Sequence, residues 1–407
     1  MKYTADEFIK ALGMSLTERL MAGFDKLSEI TEDDIYYLSD GYIRGLDERY
    51  ALLGERLEFV LKYATRVRGN DVLSTLFALL RGTVIHKERL EYVAFPPVPS
   101  DMDEERAREI EMTAFLAILA FAQKTYDFAV NSGMPPSVAR DTVDCYRAYL
   151  DISKERLSRE GFLASTYYSW NQRYINHSIF KIGILNYEMI EHCSSDAYLL
   201  TNGKEYKVLM NNKEISSSGR RYGSAGCSDV AFVATFTETD EYFEGYEVDT
   251  ENALVLEKKV TLDKKSWRVA VAPGDPILSV HIPKECKLTR ENIDAAHTET
   301  LGLIGSAFPS FGAKAIYCCS WLLDGQIAKL VGEGSNIVRF QSDFIRYPTV
   351  SAGRGVYSFL FGKTGVCEVS ELPENTSLQR LVKEKYMAGG YIYEVAGFIP
   401  VERYYKG

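Results

Sequence analysis

The spacing of apolar residues divides this chain into two parts. Up to about residue 176, apolar side chains recur at intervals of three or four, as in the series Phe8, Leu12 and Leu16. This is the period of an amphipathic α-helix. From Ile179 onward, short runs alternate with a period of two, which is typical of β-strands. The pattern therefore predicts an α+β protein, with an all-helical domain at residues 1–176 and a mixed α/β sheet domain at residues 177–407.

The clearest local signals lie between residues 276 and 323. An alternating strand is predicted at 277–282, and Pro283 stops it because proline cannot donate to a ladder. Thr289 is an N-cap for a helix that ends before Pro309, and a second strand is predicted at 315–323. Strand, helix and strand in this order predict a parallel pair joined by a right-handed crossover.

Other segments carry weaker signals. A single helix is predicted at residues 138–157, a helix at 335–344, and strands at 356–361 and 391–399. Residues 198–236 contain turn chemistry at Asn202-Gly203 and at Ser216 to Gly219, which predicts a hairpin appended to the sheet domain.

Several short motifs in the second part resemble one known family. They are Gly274-Asp275, His281-Ile282-Pro283, Ser320-Trp321-Leu322-Leu323, Ser335-Asn336-Ile337, Phe340, Phe344, Leu372-Pro373, the run Thr376 to Arg380, and upstream the run Phe180 to Glu188. Together they resemble the acyltransferase-domain family that joins a helical N-terminal domain to a GNAT-like C-terminal domain. The likeness covers about residue 134 to the C-terminus, with a predicted insertion at 198–236.

The resemblance implies a GNAT-like sheet domain and an acyl-CoA co-substrate, acetyl-CoA or a longer ester. It implies that the CoA pyrophosphate meets the loop after the 277–282 strand, because helix N-termini attract phosphates. The implied CoA-binding residues are Ile282, Pro283, Lys284, Lys287 and Thr289. N-acetyltransferases usually carry an Arg/Gln-x-x-Gly-x-Gly/Ala loop at that place, and this sequence has none there. The nearest match, Arg220 to Ala225, lies elsewhere in the sequence. It is either a phosphate-binding loop or a loop whose glycines match the motif by chance.

Two residues are candidates for the catalytic step. His281 is a candidate general base, because imidazole titrates near neutral pH; the alternative is a structural histidine. Ser320 is a candidate polar group beside it. Cys318 and Cys319 are either acyl-thioester nucleophiles or buried cysteines, and the buried interpretation is favoured because no histidine or aspartate stands at motif spacing.

The resemblance also implies candidate acceptor-binding residues, and three of them have a structural alternative. They are Trp321, Asn336, Arg339, Gln379 and Arg380. Trp321 also suits the core, Asn336 suits a helix cap, and Arg380 suits either a carboxylate or phosphate ligand or a surface salt bridge.

Composition narrows the class of function. The formal net charge of −10 disfavours binding to a phosphate backbone, so no nucleic-acid partner is expected. The longest apolar run, residues 115–122, is too short to span a bilayer, and the charged N-terminus does not resemble a secretory signal. The seven scattered cysteines lack paired metal-ligand spacing and suggest reduced thiols in a cytoplasm. No metal is expected.

The sequence thus favours an acyl-CoA-dependent N-acyltransferase that moves the acyl group directly to an amine or hydroxyl of a small-molecule or peptide acceptor. A rival hypothesis is a catalytically inactive GNAT-like module that binds CoA or a peptide. A third is an interaction protein that works through its helical half. The sequence leaves the acceptor, the acyl length and the oligomeric state open.

Overall fold

A computed structural model describes residues 2–87, 91–284, 286–363 and 365–404. The chain divides into two compact units, Met1–Lys181 and Ile182–Gly407. The change from helices to strands falls between Ile175 and Ile179, as the periodicity predicts.

The first unit is built from helices, which confirms the all-helical prediction for this half. They are α1 Ala5–Leu12, α2 Glu18–Met21, α3 Phe24–Leu27, α4 Glu32–Tyr37, α5 Asp40–Tyr50, α6 Leu57–Arg68, α7 Asp71–His86, α8 Glu104–Leu119, α9 Ala122–Asn131, α10 Pro136–Val143, α11 Cys145–Leu157 and α12 Ala164–Ile175. The predicted single helix at 138–157 is wrong, because α10 ends at Val143 and α11 begins at Cys145. Every residue of α8 from Ile110 to Leu119 is buried, so this helix forms the centre of the unit. Within the described residues, no helix is both long and apolar enough to cross a membrane.

The second unit contains two larger sheets. The first strand, β1 Ile179–Ile182, spans the boundary between the two units. The other strands are β2 Leu185–Ile190, β3 Ala197–Thr201, β4 Tyr206–Met210, β5 Lys213–Ile215, β6 Phe232–Ala234, β7 Phe236–Glu238, β8 Tyr242–Asp249, β9 Leu254–Asp263, β10 Arg268–Val271, β11 Ile277–His281, β12 Ala315–Ser320, β13 Ile345–Pro348 and β14 Val395–Pro400. Its helices are α13 Arg290–Ala307, α14 Gly325–Val331, α15 Asn336–Ser342, α16 Arg354–Phe359 and α17 Ser377–Met387.

The first sheet has the order β1-β2-β11-β12-β14-β13. β11 and β12 are parallel, and α13 is the crossover between them, which confirms that prediction. α13 lies on the face of the sheet that carries Tyr187, since the Tyr187 hydroxyl lies 2.7 Å from Nδ1 of the buried His297. The other face packs on the second sheet through an apolar cluster that includes Ile277, Phe398 and Leu199.

The second sheet has the order β10-β3-β4-β8-β7, with β9 paired to β8. β3 and β4 form the hairpin predicted from Asn202-Gly203. The expectation that residues 198–236 are appended to the sheet domain is wrong, because β3 and β4 lie inside this sheet between β10 and β8. The hairpin lies in the interior of the sheet because its two outer neighbours, β10 and β8, come later in the chain. Whether the segment is an insertion relative to the family stays a prediction.

Three predicted strands need correction. The strand predicted at 356–361 is wrong, because residues 356–359 belong to helix α16, whose inner residues Val356 and Tyr357 join a cluster with Trp321 and Tyr386. The strand predicted at 315–323 ends at Ser320, and residues 321–323 form a single 3-10 turn. The closing strand is also shorter than predicted, since β14 begins at Val395. The helix predicted at 335–344 is confirmed as α15.

Candidate functional site

The neighbouring strands β11 and β12 separate partway along their length. They pair at Ile277 with Ala315, Leu278 with Ile316 and Ser279 with Tyr317, and the parallel ladder ends there. β11 nevertheless continues to His281, opposite Asn186 of β2. β12 continues to Ser320, opposite Val395 of β14. Each strand therefore keeps its outer partner where the pairing between the two has ended. The unpaired stretch between the ends of β11 and β12 is called the opening below.

His281 stands at this opening with an acidic partner. Its ring Nε2 lies 2.9 Å from the Glu188 carboxylate oxygen Oε2. Glu188 faces Ser279 across the β2–β11 ladder, and His281 faces Asn186, so the two side chains share one face and meet diagonally. The Glu188 side chain is 8% exposed and that of His281 is 28% exposed. The pair combines a shielded carboxylate with an imidazole that solvent still reaches.

The two neighbouring cysteines of β12 lie on opposite faces of the strand. Cys318 is buried and Cys319 is exposed, so the favoured interpretation of two buried cysteines holds only for Cys318. Cys319 follows Tyr317 on its face, two residues beyond the last paired residue of β12. Desolvation by the surrounding protein, with a smaller contribution from Glu394, raises the pKa of the Cys319 thiol to about 11. At neutral pH this thiol is therefore protonated and a poor nucleophile.

The segment after β11 leads directly to the beginning of α13. Lys284 and Lys287 are exposed in it, and the Cys286 N–H donates to the Pro283 carbonyl at 3.1 Å. The Thr289 hydroxyl accepts from the Asn292 N–H at 3.4 Å, as predicted for an N-cap. The exposed lysines thus stand just before the positive end of an 18-residue helix.

Arg290, the first residue of α13, is held by two carboxylates. Its Nε donates to Asp294 at 2.8 Å, and its Nη1 donates to Asp343. These bonds raise the pKa of the Arg290 guanidinium, chiefly through Asp343. The positive charge of Arg290 at the helix N-terminus is therefore balanced by these two carboxylates.

The remaining predicted site residues make local contacts. The Ser320 hydroxyl accepts from the Leu322 N–H at 3.2 Å and caps the 3-10 turn. Trp321 is buried in the apolar cluster around Tyr357. Asn336 and Arg339 are exposed on α15. The structure does not join these four side chains to His281 in one cluster of described contacts, and their roles in binding or catalysis stay predictions.

The two predicted residues on α17 belong to the start of that helix. The Gln379 side chain accepts from the Thr376 N–H at 3.0 Å and donates to the Leu360 carbonyl at 2.8 Å. Arg380 donates to the Glu374 carbonyl at 2.8 Å and lines an open groove of about 670 Å³ with Lys383, Glu384 and Met387. These contacts give both residues a structural role at the start of α17, and their role in acceptor binding stays a prediction.

The chance-motif interpretation also suits Arg220 to Ala225. The Arg220 guanidinium stacks on the Tyr393 ring with its Cζ 3.8 Å from the ring centroid, and Arg221 pairs with Asp196. Both arginines thus serve contacts inside the second unit. Among the described parts of the chain, no group of three or more His, Cys, Asp or Glu side chains is placed to hold a metal ion.

Glu188 is the site residue that sequence reasoning missed. Asn186 and Glu188 alternate with apolar residues on β2, so the two polar side chains lie on the same face of that strand. The partner histidine, however, is 93 residues away in the chain, and only the β2–β11 register brings the two together.

The fold and the opening define the class of this protein: a two-unit α+β protein whose parallel strand pair parts ahead of a helix N-terminus. Residues 179–399 match the family described as GNAT-like C-terminal domain, and the chain belongs to that family.

Solved acyltransferase structures share the fold over almost the whole chain. One, in complex with CoA and 10C-teicoplanin, is 17% identical over 98% of this chain and 99% of that chain, with a TM-score of 0.65. A second, with decanoyl-CoA and teicoplanin, is 17% identical with the same coverage and a TM-score of 0.64. A third, with decanoyl-CoA, is 15% identical with the same coverage and a TM-score of 0.62. No curated protein matches the chain. At these identities the likeness establishes the fold.

Proposed function

We propose that this protein transfers an acyl group from acyl-CoA directly to an amine or hydroxyl of a small-molecule or peptide acceptor. One observation carries the proposal: β11 parts from its parallel neighbour β12 and leads through a lysine-bearing segment into the capped N-terminus of α13. This places an opening for a thioester beside a surface suited to phosphates. The solved complexes of similarly folded acyltransferases with CoA and decanoyl-CoA support the same ligand class.

In this proposal the CoA phosphates bind at the segment Pro283–Thr289. Lys284 and Lys287 supply positive charge, and the first turn of α13 supplies oriented N–H groups. The pantetheine arm then passes between β11 and β12 beyond Ser279 and Tyr317, where the ladder has ended.

The chemical step uses the end of β11. A backbone N–H of β11 that faces the opening donates to the thioester carbonyl and stabilises the oxyanion that develops there. His281 takes the proton from the attacking amine or hydroxyl. The carbon–sulfur bond breaks, and CoA leaves as the thiolate, which takes up a proton. No covalent enzyme intermediate is needed, which agrees with the raised pKa of Cys319.

The decisive experiment pairs binding with turnover. Titration calorimetry with octanoyl-CoA and decanoyl-CoA measures binding, and release of the free CoA thiol with a panel of amines and alcohols measures transfer. Binding with acceptor-dependent release supports the acyltransferase. Binding without release for any acceptor favours the rival, an inactive CoA-binding module. No binding of either ester refutes the proposed function.

Reversing the two loop charges should weaken acyl-CoA binding. In the double variant Lys284→Glu and Lys287→Glu, each lost charge-assisted contact is expected to cost about 1.5–3 kcal/mol, so the Kd measured by calorimetry should rise by well over tenfold. The matched control is Lys204→Glu with Lys265→Glu, which makes the same charge change at exposed lysines elsewhere in the unit. Equal affinities of the two double variants would move the phosphate site away from this segment.

Bound acyl-CoA should protect Cys319 from alkylation. Cys319 is exposed at the opening, while Cys367 lies half-buried in a different part of the unit. Peptide mapping after iodoacetamide treatment should show slow labelling of Cys319 that accelerates as pH rises toward about 11, because only the thiolate reacts. Saturating octanoyl-CoA should suppress labelling at Cys319 and leave Cys367 unaffected. Labelling of Cys319 at the same rate with bound ester would exclude the pantetheine path between β11 and β12.

A further inference from the structure

The contact between Glu188 and His281 is built by the sheet. The two residues sit on adjacent antiparallel strands, and the register that brings them together extends over five residue pairs from Ile277 to His281. Their polar atoms are 2.9 Å apart, and the 8% exposure of the Glu188 side chain limits competition from water. The carboxylate therefore has a fixed position relative to the imidazole.

The chemistry of this contact determines how the imidazole carries its proton. A carboxylate only accepts hydrogen bonds, so the neutral imidazole facing it must carry its hydrogen on Nε2. The lone pair of the ring then resides on Nδ1, the nitrogen turned away from Glu188. A neutral imidazole without such a partner exchanges between both tautomers, and only one of them presents Nδ1 as a base.

We propose that Glu188 is a positioning residue that holds His281 in its Nε2–H tautomer and directs Nδ1 toward the acceptor nucleophile. This inference rests on the proposed function, because it assigns a carboxylate partner to His281, the general base of the proposed acyl transfer. As the acceptor proton moves to Nδ1, the Glu188 carboxylate also stabilises the imidazolium that forms, without itself taking a proton.

The test is Glu188→Gln, which keeps the size of the side chain. A glutamine amide can either donate to Nε2 or accept from it, so the Nε2–H tautomer is no longer enforced and the Nδ1–H tautomer, which lacks a lone pair at the reactive position, is expected to gain population. The negative charge that stabilises the imidazolium is lost as well. The kcat should fall by at least about 100-fold, while the Kd for octanoyl-CoA stays unchanged. Glu188→Asp keeps the carboxylate and should recover part of the loss. Glu257→Gln, at an exposed position of β9, is the matched control and should behave as wild type.

A spectroscopic measurement separates positioning from a merely structural role. The chain has five histidines, so ¹⁵N-labelled histidine gives a readable NMR spectrum, and His281→Ala identifies the His281 signals. Wild type should show the Nε2–H tautomer, and Glu188→Gln should shift the population toward Nδ1–H. An unchanged tautomer in this variant, or an unchanged kcat, overturns the inference. Absence of acyl-CoA binding by wild type would instead refute the proposed function, and the NMR result would still decide whether Glu188 sets the tautomer.

Discussion

Replacing His281 with alanine is expected to lower the turnover of acyl transfer by about 10²–10⁴-fold, the usual contribution of a general base. The affinity for acyl-CoA should change little, because the proposed phosphate contacts lie in the segment after Pro283. The side chain is partly exposed at the end of β11, so its removal should leave the fold intact. Steady-state release of the CoA thiol gives kcat, and calorimetry gives the Kd.

The matched control is His192→Ala. His192 is exposed beyond the end of β2, where its ring Nδ1 lies 3.4 Å from the Gly274 carbonyl oxygen. Its loss should affect neither kcat nor Kd. If His281→Ala retains wild-type kcat, another group takes the proton. If it loses acyl-CoA binding instead of turnover, His281 belongs to the binding surface and the proposed mechanism fails.

The largest effect on stability is expected at Asp324. Its carboxylate is fully buried and accepts the N–H groups of Gln326 at 3.1 Å and Tyr393 at 2.8 Å. The Arg220 guanidinium lies 3.8 Å away. Arg346 is buried nearby and donates to the Leu323 carbonyl at 3.0 Å; desolvation lowers the pKa of its guanidinium, and Asp324 opposes that shift. Asp324 therefore balances positive charge and satisfies backbone donors inside the unit.

Asp324→Ala leaves those donors and cations without their acceptor, and a buried pair broken on one side typically costs about 3–5 kcal/mol. Urea denaturation should show this decrease in the free energy of unfolding. Asp240→Ala, at an exposed turn, is the control and should stay within about 0.5 kcal/mol of wild type. If the free energy of unfolding falls no more in Asp324→Ala than in the control, water or the neighbouring carboxylates must take over its contacts with the buried donors and cations.

Local signals explain which elements the sequence predicts well. The path from β11 through Pro283 and Thr289 into α13 follows from residues that act within a few positions of one another: a proline that ends a ladder, a hydroxyl that caps a helix, and apolar residues at helical spacing. The same holds for Asp324, a helix-capping residue type, which caps α14 and accepts from Gln326.

Distant contacts explain what the sequence does not predict. The segment 356–361 has enough apolar residues for a strand, yet it is helical as α16. The Glu394 carboxylate accepts the Gly355 N–H at 2.7 Å and the Ser351 hydroxyl, so a residue 39 positions later in the chain satisfies the helix start. Glu188 is a similar case at the candidate site, because its role depends on a strand register that no local pattern encodes.

The short β11–β12 ladder has a mechanical consequence. Only three residue pairs join the half of the sheet formed by β1, β2 and β11 to the half formed by β12, β14 and β13. The β2–β11 and β12–β14 ladders on either side extend over five and six residue pairs. The sheet therefore has a seam along its middle, where fewer residue pairs resist separation than in the two flanking ladders. Under the proposed function, a ligand bound in the opening would contact the strands on both sides of this seam, and its binding would therefore add contacts where the ladder is short.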